Sequence, residues 1–264
     1  MPSDYMSSRV ALLLFKRPSL PERLCVTAAV RQMSGSTIYQ STSEGSWQEE
    51  VRSFQTHLFP ILGYFLDCLY IYGYPTADRP DTGIGSFPVI NAGCANGHPA
   101  HALADIACML RVAKKLEDVH ASWIGCVNGT LHSLIESMAW FPFALTVSMP
   151  PDSEDYGLMQ LAQDLKVPVR FVKTPDEAVR ESQFVFAGRK PDEITPENEA
   201  WSLTAELMQY ARPDARILLS ATPIRAIPVS RELLSGKRSM LVRQAEYRLC
   251  VHKRILHWVF AKDQ

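Results

Sequence analysis

PVINAGCANGHPAHALAD, residues 88–105, is the stretch that decides the fold. It opens as an apolar run, turns at Gly93 and Gly97, and enters a segment where Leu103, Ile106, Ala107, Leu110 and Ala113 recur at helical spacing. A strand passed through a Gly-rich turn to a helix is the repeating unit of a parallel sheet covered by helices. The same alternation extends outward in both directions. Toward the N-terminus, strands are expected at 10–15, 37–40, 67–72 and 87–91, with helices at 19–33, 47–64 and 98–116. After the charged stretch 114–118, a second series predicts strands at 122–126, 143–148, 167–172, 183–187 and 216–220. Its helices are expected at 130–140, 154–165, 175–181 and 198–211. A last helix, about 244–260, carries Ala245, Leu249, Leu256 and Val259 on one face. The fold class is therefore α/β, with two doubly wound parallel-sheet domains hinged near residue 118. Ligands bind such sheets beyond the carboxyl ends of the strands.

Composition narrows the function classes. The chain has 264 residues, 47% apolar and 21% charged, which is ordinary globular usage and excludes disordered and fibrous classes. Lys and Arg number 27 against 28 Asp and Glu, so the chain lacks the basic excess of a nucleic-acid binder. No apolar run reaches the ~18 residues of a membrane span. The run at 10–15 is shorter than a signal core of roughly 7–15 residues, and a cytoplasmic protein is expected. Six cysteines are scattered without a CxxC pair, so reduced thiols are expected rather than a disulfide framework or structural zinc.

Four strand ends carry candidate chemistry. At 12–23, LLLFKRPSLPER, a helix begins near Ser19; its amides and dipole favour a phosphate, with Arg23 as a charged partner. The competing reading is a capping box in which Ser19 and Glu22 satisfy the helix internally. At 88–105, His98 and His101 lie one turn apart and face one site. They suit hydrogen bonding to a polarised carbonyl, or a capping role at the core edge. As a metal pair they lack a third ligand nearby in sequence, so no metal and no cofactor are expected. At 123–138, WIGCVNGTLHSLIESM is strand, turn and helix but does not read GxGxxG, which weakens a dinucleotide site. At 216–228, RILLSATPIRAIP, a buried strand runs into a loop where Thr222 and Pro223 are positioned to meet a ligand.

Taken in order, these segments resemble the aspartate/ornithine carbamoyltransferase family. Ser19-Leu20-Pro21-Glu22-Arg23 resembles its S-x-R-T-R phosphate loop, and PVINAG…HPAHALAD its PVINaG…HPxQxLxD segment. GCVNGTLHSL resembles the opening of its second domain, Ser220-Ala221-Thr222-Pro223 its HPLP or HCLP loop, and QAEYRLCVHKRIL its closing helix. The family's long N-terminal helix has no counterpart ahead of 10–15. The resemblance implies a carbamoyl-phosphate domain at 1–117, joined by a returning helix at 240–264, and an amino-acid domain at 118–239. It also implies a homotrimer. Residue by residue, it implies catalytic roles for His98 and Arg23. Ser19, Arg23, His101, Thr222 and Pro223 fall at phosphate-binding positions, and Gly129, Thr130 and Arg189 at acceptor-binding positions.

Many of the family's charged groups are replaced. Its first loop Arg is Pro21 and its Thr is Glu22; a third-strand Arg is Tyr72; the Lys inserted by a neighbouring subunit aligns with Glu44. The catalytic Asp of the ornithine enzymes falls near Gly188, and the His and Cys of the HCLP loop at Ser220 and Ala221. Charge-assisted hydrogen bonds are worth roughly 1.5–3 kcal/mol each. Losing three costs on the order of 10³-fold in binding a small dianion. The expectation is a carbamoyltransferase-family protein whose standard chemistry is lost or altered, holding carbamoyl phosphate or phosphate weakly beside an amino-acid-like ligand. The alternatives are an active transferase on an unusual amine, and a non-enzymatic binding or regulatory subunit.

Overall fold

The computed structural model describes residues 4–41, 61–74, 87–153, 155–189, 200–220 and 229–261. The chain divides into two compact units, Met1–Ala100 with Arg248–Gln264, and His101–Tyr247.

In the first unit β1 (Val10–Phe15), β2 (Ser36–Ser41), β3 (Cys68–Tyr72) and β4 (Val89–Gly93) form a parallel sheet in the order β2-β1-β3-β4. Strand β1 is buried from Ala11 to Phe15, which explains its unbroken apolar sequence: an inner parallel strand is covered on both faces. Leu13 and Phe15 feed one cluster and Leu12 and Leu14 the other, following the two-residue period of a strand. Helix α1 (Leu20–Arg31) adds Val26, Ala29 and Val30 to the first cluster. Chain order reverses between β1 and β3, so their carboxyl ends, Phe15 and Tyr72, flank the switch point of this sheet.

The second unit has β5 (His120–Ile124), β6 (Ala144–Ser148), β7 (Val169–Val172), β8 (Phe184–Ala187) and β9 (Arg216–Leu219), all parallel, in the order β7-β6-β5-β8-β9. Its switch point lies between β5 and β8. Helices α2 (Pro99–Ala113), α3 (Gly129–Ser137), α4 (Tyr156–Asp164) and α5 (Pro175–Val179) alternate with these strands, followed by α6 (Arg231–Ser235) and α7 (Leu241–Phe260). Trp123 and Phe186 stack at the centre of the core, 6.0 Å between ring centroids.

All nine expected strands form. The helix expected at 198–211 does not: its described part, 200–211, is turns with one short 3₁₀ segment, Leu207–Gln209. Leu203 is held outside a helix by a β-bridge to Val229, with Ser230 N donating to its carbonyl at 3.3 Å, and the Thr204 hydroxyl, accepting from Leu207 N at 3.2 Å, opens only a single turn. The helix expected at 98–116 stops at Ala113, where Lys114 takes φ +67. Of the helix expected at 47–64, residues 47–60 lie outside the described residues. All six cysteines are free thiols. Among the described residues no helix is long and apolar enough to cross a membrane.

The inward face of α7 differs from the expected one. Its buried residues are Gln244, Arg248, His252, Leu256 and Phe260, four apart, while Ala245 is exposed. Gln244 is fully buried and bonds the last residue of β9 twice. Its Oε1 accepts from Leu219 N (2.9 Å), and its Nε2 donates to Leu219 O (3.0 Å) and to Asp105 Oδ1 (2.7 Å). Gln244→Leu removes three bonds from buried groups at once. The variant is expected to lose about 2–4 kcal/mol, read as a lower urea midpoint at unchanged slope.

Candidate functional site

The site is assembled from the carboxyl end of β4 and the start of α1. After β4 the chain turns on Asn91, whose Oδ1 accepts from Gly93 N (2.9 Å) and whose Nδ2 donates to Gly97 O (3.3 Å). Cys94 N also donates to Gly97 O at 2.7 Å, closing the turn. Gly93 takes φ +136, and a Cβ built there would lie 2.7 Å from both Cδ2 and Nε2 of His98. The imidazole is thus seated on a bare backbone position, with the Tyr72 ring edge-on at 6.4 Å.

Helix α1 brings Glu22 to the same place. Ser19 precedes the helix in extended conformation, but its hydroxyl is buried without a hydrogen-bond partner and makes no cap, so the expected capping box does not form. Glu22 turns inward instead and is 2% exposed. His252 Nε2, fully buried on α7, donates to Glu22 Oε1 at 3.2 Å, and His98 Nε2 lies 3.7 Å from Oε2. A carboxylate cannot be taken out of water without such partners. Its charge is felt around it. Burial first, and then Glu22, push the Cys25 thiol up to about 12. The buried Tyr70 hydroxyl is raised well above its ordinary value, mainly by burial, with Cys68, Cys25 and Glu22 adding.

This arrangement uses the anion-attracting end of α1 for an internal anion. An acid in the first helical turn is stabilised by the dipole. Pro21 has no N–H, so one of the amides that would grip an external anion is absent, along with any guanidinium at that position. Arg23 is exposed and lies over the Tyr39 ring, 3.9 Å from its centroid. His98 precedes α2, and His101, in the first turn of that helix, is 2% exposed.

At the second switch point Asn128 caps α3, its Oδ1 accepting from Thr130 N (2.9 Å) and Leu131 N (3.3 Å). Its Nδ2 donates to Ser220 Oγ (3.2 Å), and Ser220 Oγ donates to Ala187 O (2.9 Å). Thr130 Oγ1 donates to Ser220 O at 3.1 Å. Gly129 and Thr130 are therefore buried in a network joining α3 to the ends of β8 and β9. Gly188 has no room for a side chain, since a Cβ there would lie 2.9 Å from Ile124 O. Arg189 is half-buried and its carbonyl accepts from Cys126 N at 2.9 Å. Thr222, Pro223, Ala221 and Glu44 lie outside the described residues.

Sequence reasoning paired His98 with His101 but missed His252, which lies 230 residues from Glu22. The only signal was polar residues at four-residue spacing in line with Leu256 and Phe260.

Two parallel sheets of this order, each with a switch point, define a doubly wound α/β protein. Residues 2–111 match the carbamoyl-P binding domain of aspartate/ornithine carbamoyltransferase, and residues 117–259 match its Asp/Orn binding domain. The chain belongs to the aspartate/ornithine carbamoyltransferase family. It is similar to an ornithine carbamoyltransferase of Nitratidesulfovibrio vulgaris, 28% identical over 97% of this chain and 88% of the relative. Its fold is that of the ornithine carbamoyltransferase of Pyrococcus furiosus, with a TM-score of 0.87 at 20% identity over 98% of this chain and 87% of the other. It is equally that of the Thermus thermophilus enzyme, with a TM-score of 0.85 at 24% identity over 97% and 88%.

Proposed function

We propose that in this family member the standard carbamoyl-phosphate chemistry is lost or altered, because the chain's own Glu22 stands where the donor's phosphate would be anchored. The observation that carries this reading is the buried Glu22 carboxylate, held by His252 and beside His98 at the start of α1. A dianion entering there would meet a buried negative charge, one amide fewer at Pro21, and no guanidinium at residues 21, 22 or 72. On the acceptor side, Gly188 offers no carboxylate to take a proton from an attacking amine, and its surroundings leave no space for one. A non-catalytic subunit that binds an amino-acid-like ligand, in the cytoplasm and as a homotrimer, belongs to the same proposal.

The test is carbamoyl transfer itself. Purified protein with isotopically labelled carbamoyl phosphate, a chelator, and ornithine, aspartate or a panel of other amines is expected to give no product above the spontaneous rate. Product that disappears on His98→Ala would overturn the proposal.

A further inference from the structure

We propose that the second unit carries a binding pocket for a small aromatic carboxylate beyond the carboxyl ends of β6 and β7. The pocket encloses about 330 Å³ and is lined by Met149, Pro151, Met159, Phe171, Val172 and Lys173. That volume falls at the small end of the roughly 300–1,000 Å³ typical of small-molecule sites. The pocket lies to one side of the β5–β8 switch point, against the edge strand β7.

The strands explain why apolar surface is left open there. A parallel strand is normally covered on both faces. Strand β6 is buried from Leu145 to Ser148, but β7 is at most half-buried, although three of its four residues are Val169, Phe171 and Val172. Phe171 and Val172 are consecutive and face opposite sides of the sheet. Phe171 packs with Met159 against the cluster around Trp123, and Val172 against the cluster around Ile124. Both line the pocket, which therefore reaches round the end of β7, with the buried Met149 as its floor.

The walls are fixed by their own hydrogen bonds. Pro151 opens a short 3₁₀ turn, Pro151–Ser153, in which Ser153 N donates to Pro150 O (2.9 Å) and Ser153 Oγ accepts from Val127 N (2.9 Å). Met159 stands on α4, whose first turn is capped by Asp155 Oδ1 accepting from Leu158 N (3.0 Å). Asp155 Oδ2 lies 3.3 Å from His132 Nε2, which ties that cap to α3. Walls already ordered cost little to immobilise around a ligand.

The lining selects the ligand. Phe171 offers a ring for stacked or edge-on contact, and the two thioethers make favourable contacts with an aromatic ring and adapt to its outline. Lys173 is the one charged lining residue; it is exposed and makes no ion pair among the described residues. An apolar floor with a single cation at the rim is complementary to a ring that carries a carboxylate at one end. None of the lining residues belongs to the unit that holds Glu22, so the pocket is independent of the carbamoyl-phosphate question.

The experiment uses the full chain with ¹³C-labelled methionine methyl groups, followed by NMR. The probes are phenylacetate and indole-3-acetate, with phenylacetamide as the uncharged counterpart and acetate as the ringless one. Both aromatic carboxylates are expected to give saturable ring-current shifts at Met149 and Met159, assigned through Met149→Leu and Met159→Leu. Phenylacetamide should bind about 3–5-fold more weakly than phenylacetate, as suits a cation at an exposed rim, and acetate should not saturate. Lys173→Gln should weaken phenylacetate by the same about 3–5-fold and leave phenylacetamide unchanged, a split that a general loosening of the pocket would not give. Circular dichroism reports whether each variant folds. No saturable shift, shifts confined to other methionines, equal affinity for amide and carboxylate, or a folded Lys173→Gln variant that keeps the preference would each overturn the proposal.

Discussion

Gly93→Ala is expected to lose about 2–4 kcal/mol of stability and to dislodge His98. Two costs combine. The backbone at φ +136 is a conformation that side chains rarely adopt, worth on the order of 1–3 kcal/mol of strain. The added methyl would also sit 2.7 Å from the His98 ring, which must swing away from Glu22 or push the turn apart. The Asn91 bonds to Gly93 and Gly97 oppose the second route, so the ring is the part that gives. The double variant Gly93→Ala/His98→Ala separates the two costs. It should lose less than the sum of the single losses, because with the ring gone only the backbone strain of alanine remains. Urea denaturation measures all three values, and a strictly additive result would show that the collision contributes nothing.

The second large effect is a gain. Replacing Pro21 by Arg and Glu22 by Thr rewrites Ser19–Arg23 in the S-x-R-T-R form that the family's phosphate loop takes. The change removes a buried carboxylate, returns an amide at position 21 and adds a guanidinium beside the helix N-terminus. Each charge-assisted bond is worth roughly 1.5–3 kcal/mol. Carbamoyl phosphate affinity should therefore rise by about 100-fold or more over the parent. Calorimetric titration reads the ratio directly. An unchanged affinity in a folded double variant would mean that Glu22 is not what excludes the donor. His252 loses its carboxylate partner in this variant, so some loss of stability accompanies the gain in binding.

Much of the fold was legible because parallel strands write themselves as short apolar runs. VALLLF at β1 and the runs ending at Ala187 and Leu219 are buried nearly throughout. Helix α7 was legible as a helix but not in its facing. Hydrophobic spacing selected Ala245 and Leu249, whereas the packed stripe hides Gln244, Arg248 and His252. A buried polar side chain is stabilised by partners far away in sequence, and those partners leave no periodic signal. The same reason governs the site. The text of the phosphate loop showed that Glu22 replaced a neutral residue. Nothing local showed that Glu22 would abandon the capping box for His252, since that choice depends on a contact 230 residues away. Residues 200–211 failed for a similar reason: Leu203 bridges Val229, a partner 26 residues away that leaves no local signal.

The account turns on whether an internal carboxylate has displaced an external phosphate. Isothermal titration of the unaltered protein with carbamoyl phosphate, in chelator, asks this with no further assumption. No saturable heat up to millimolar donor is the predicted result, and a micromolar dissociation constant would contradict it.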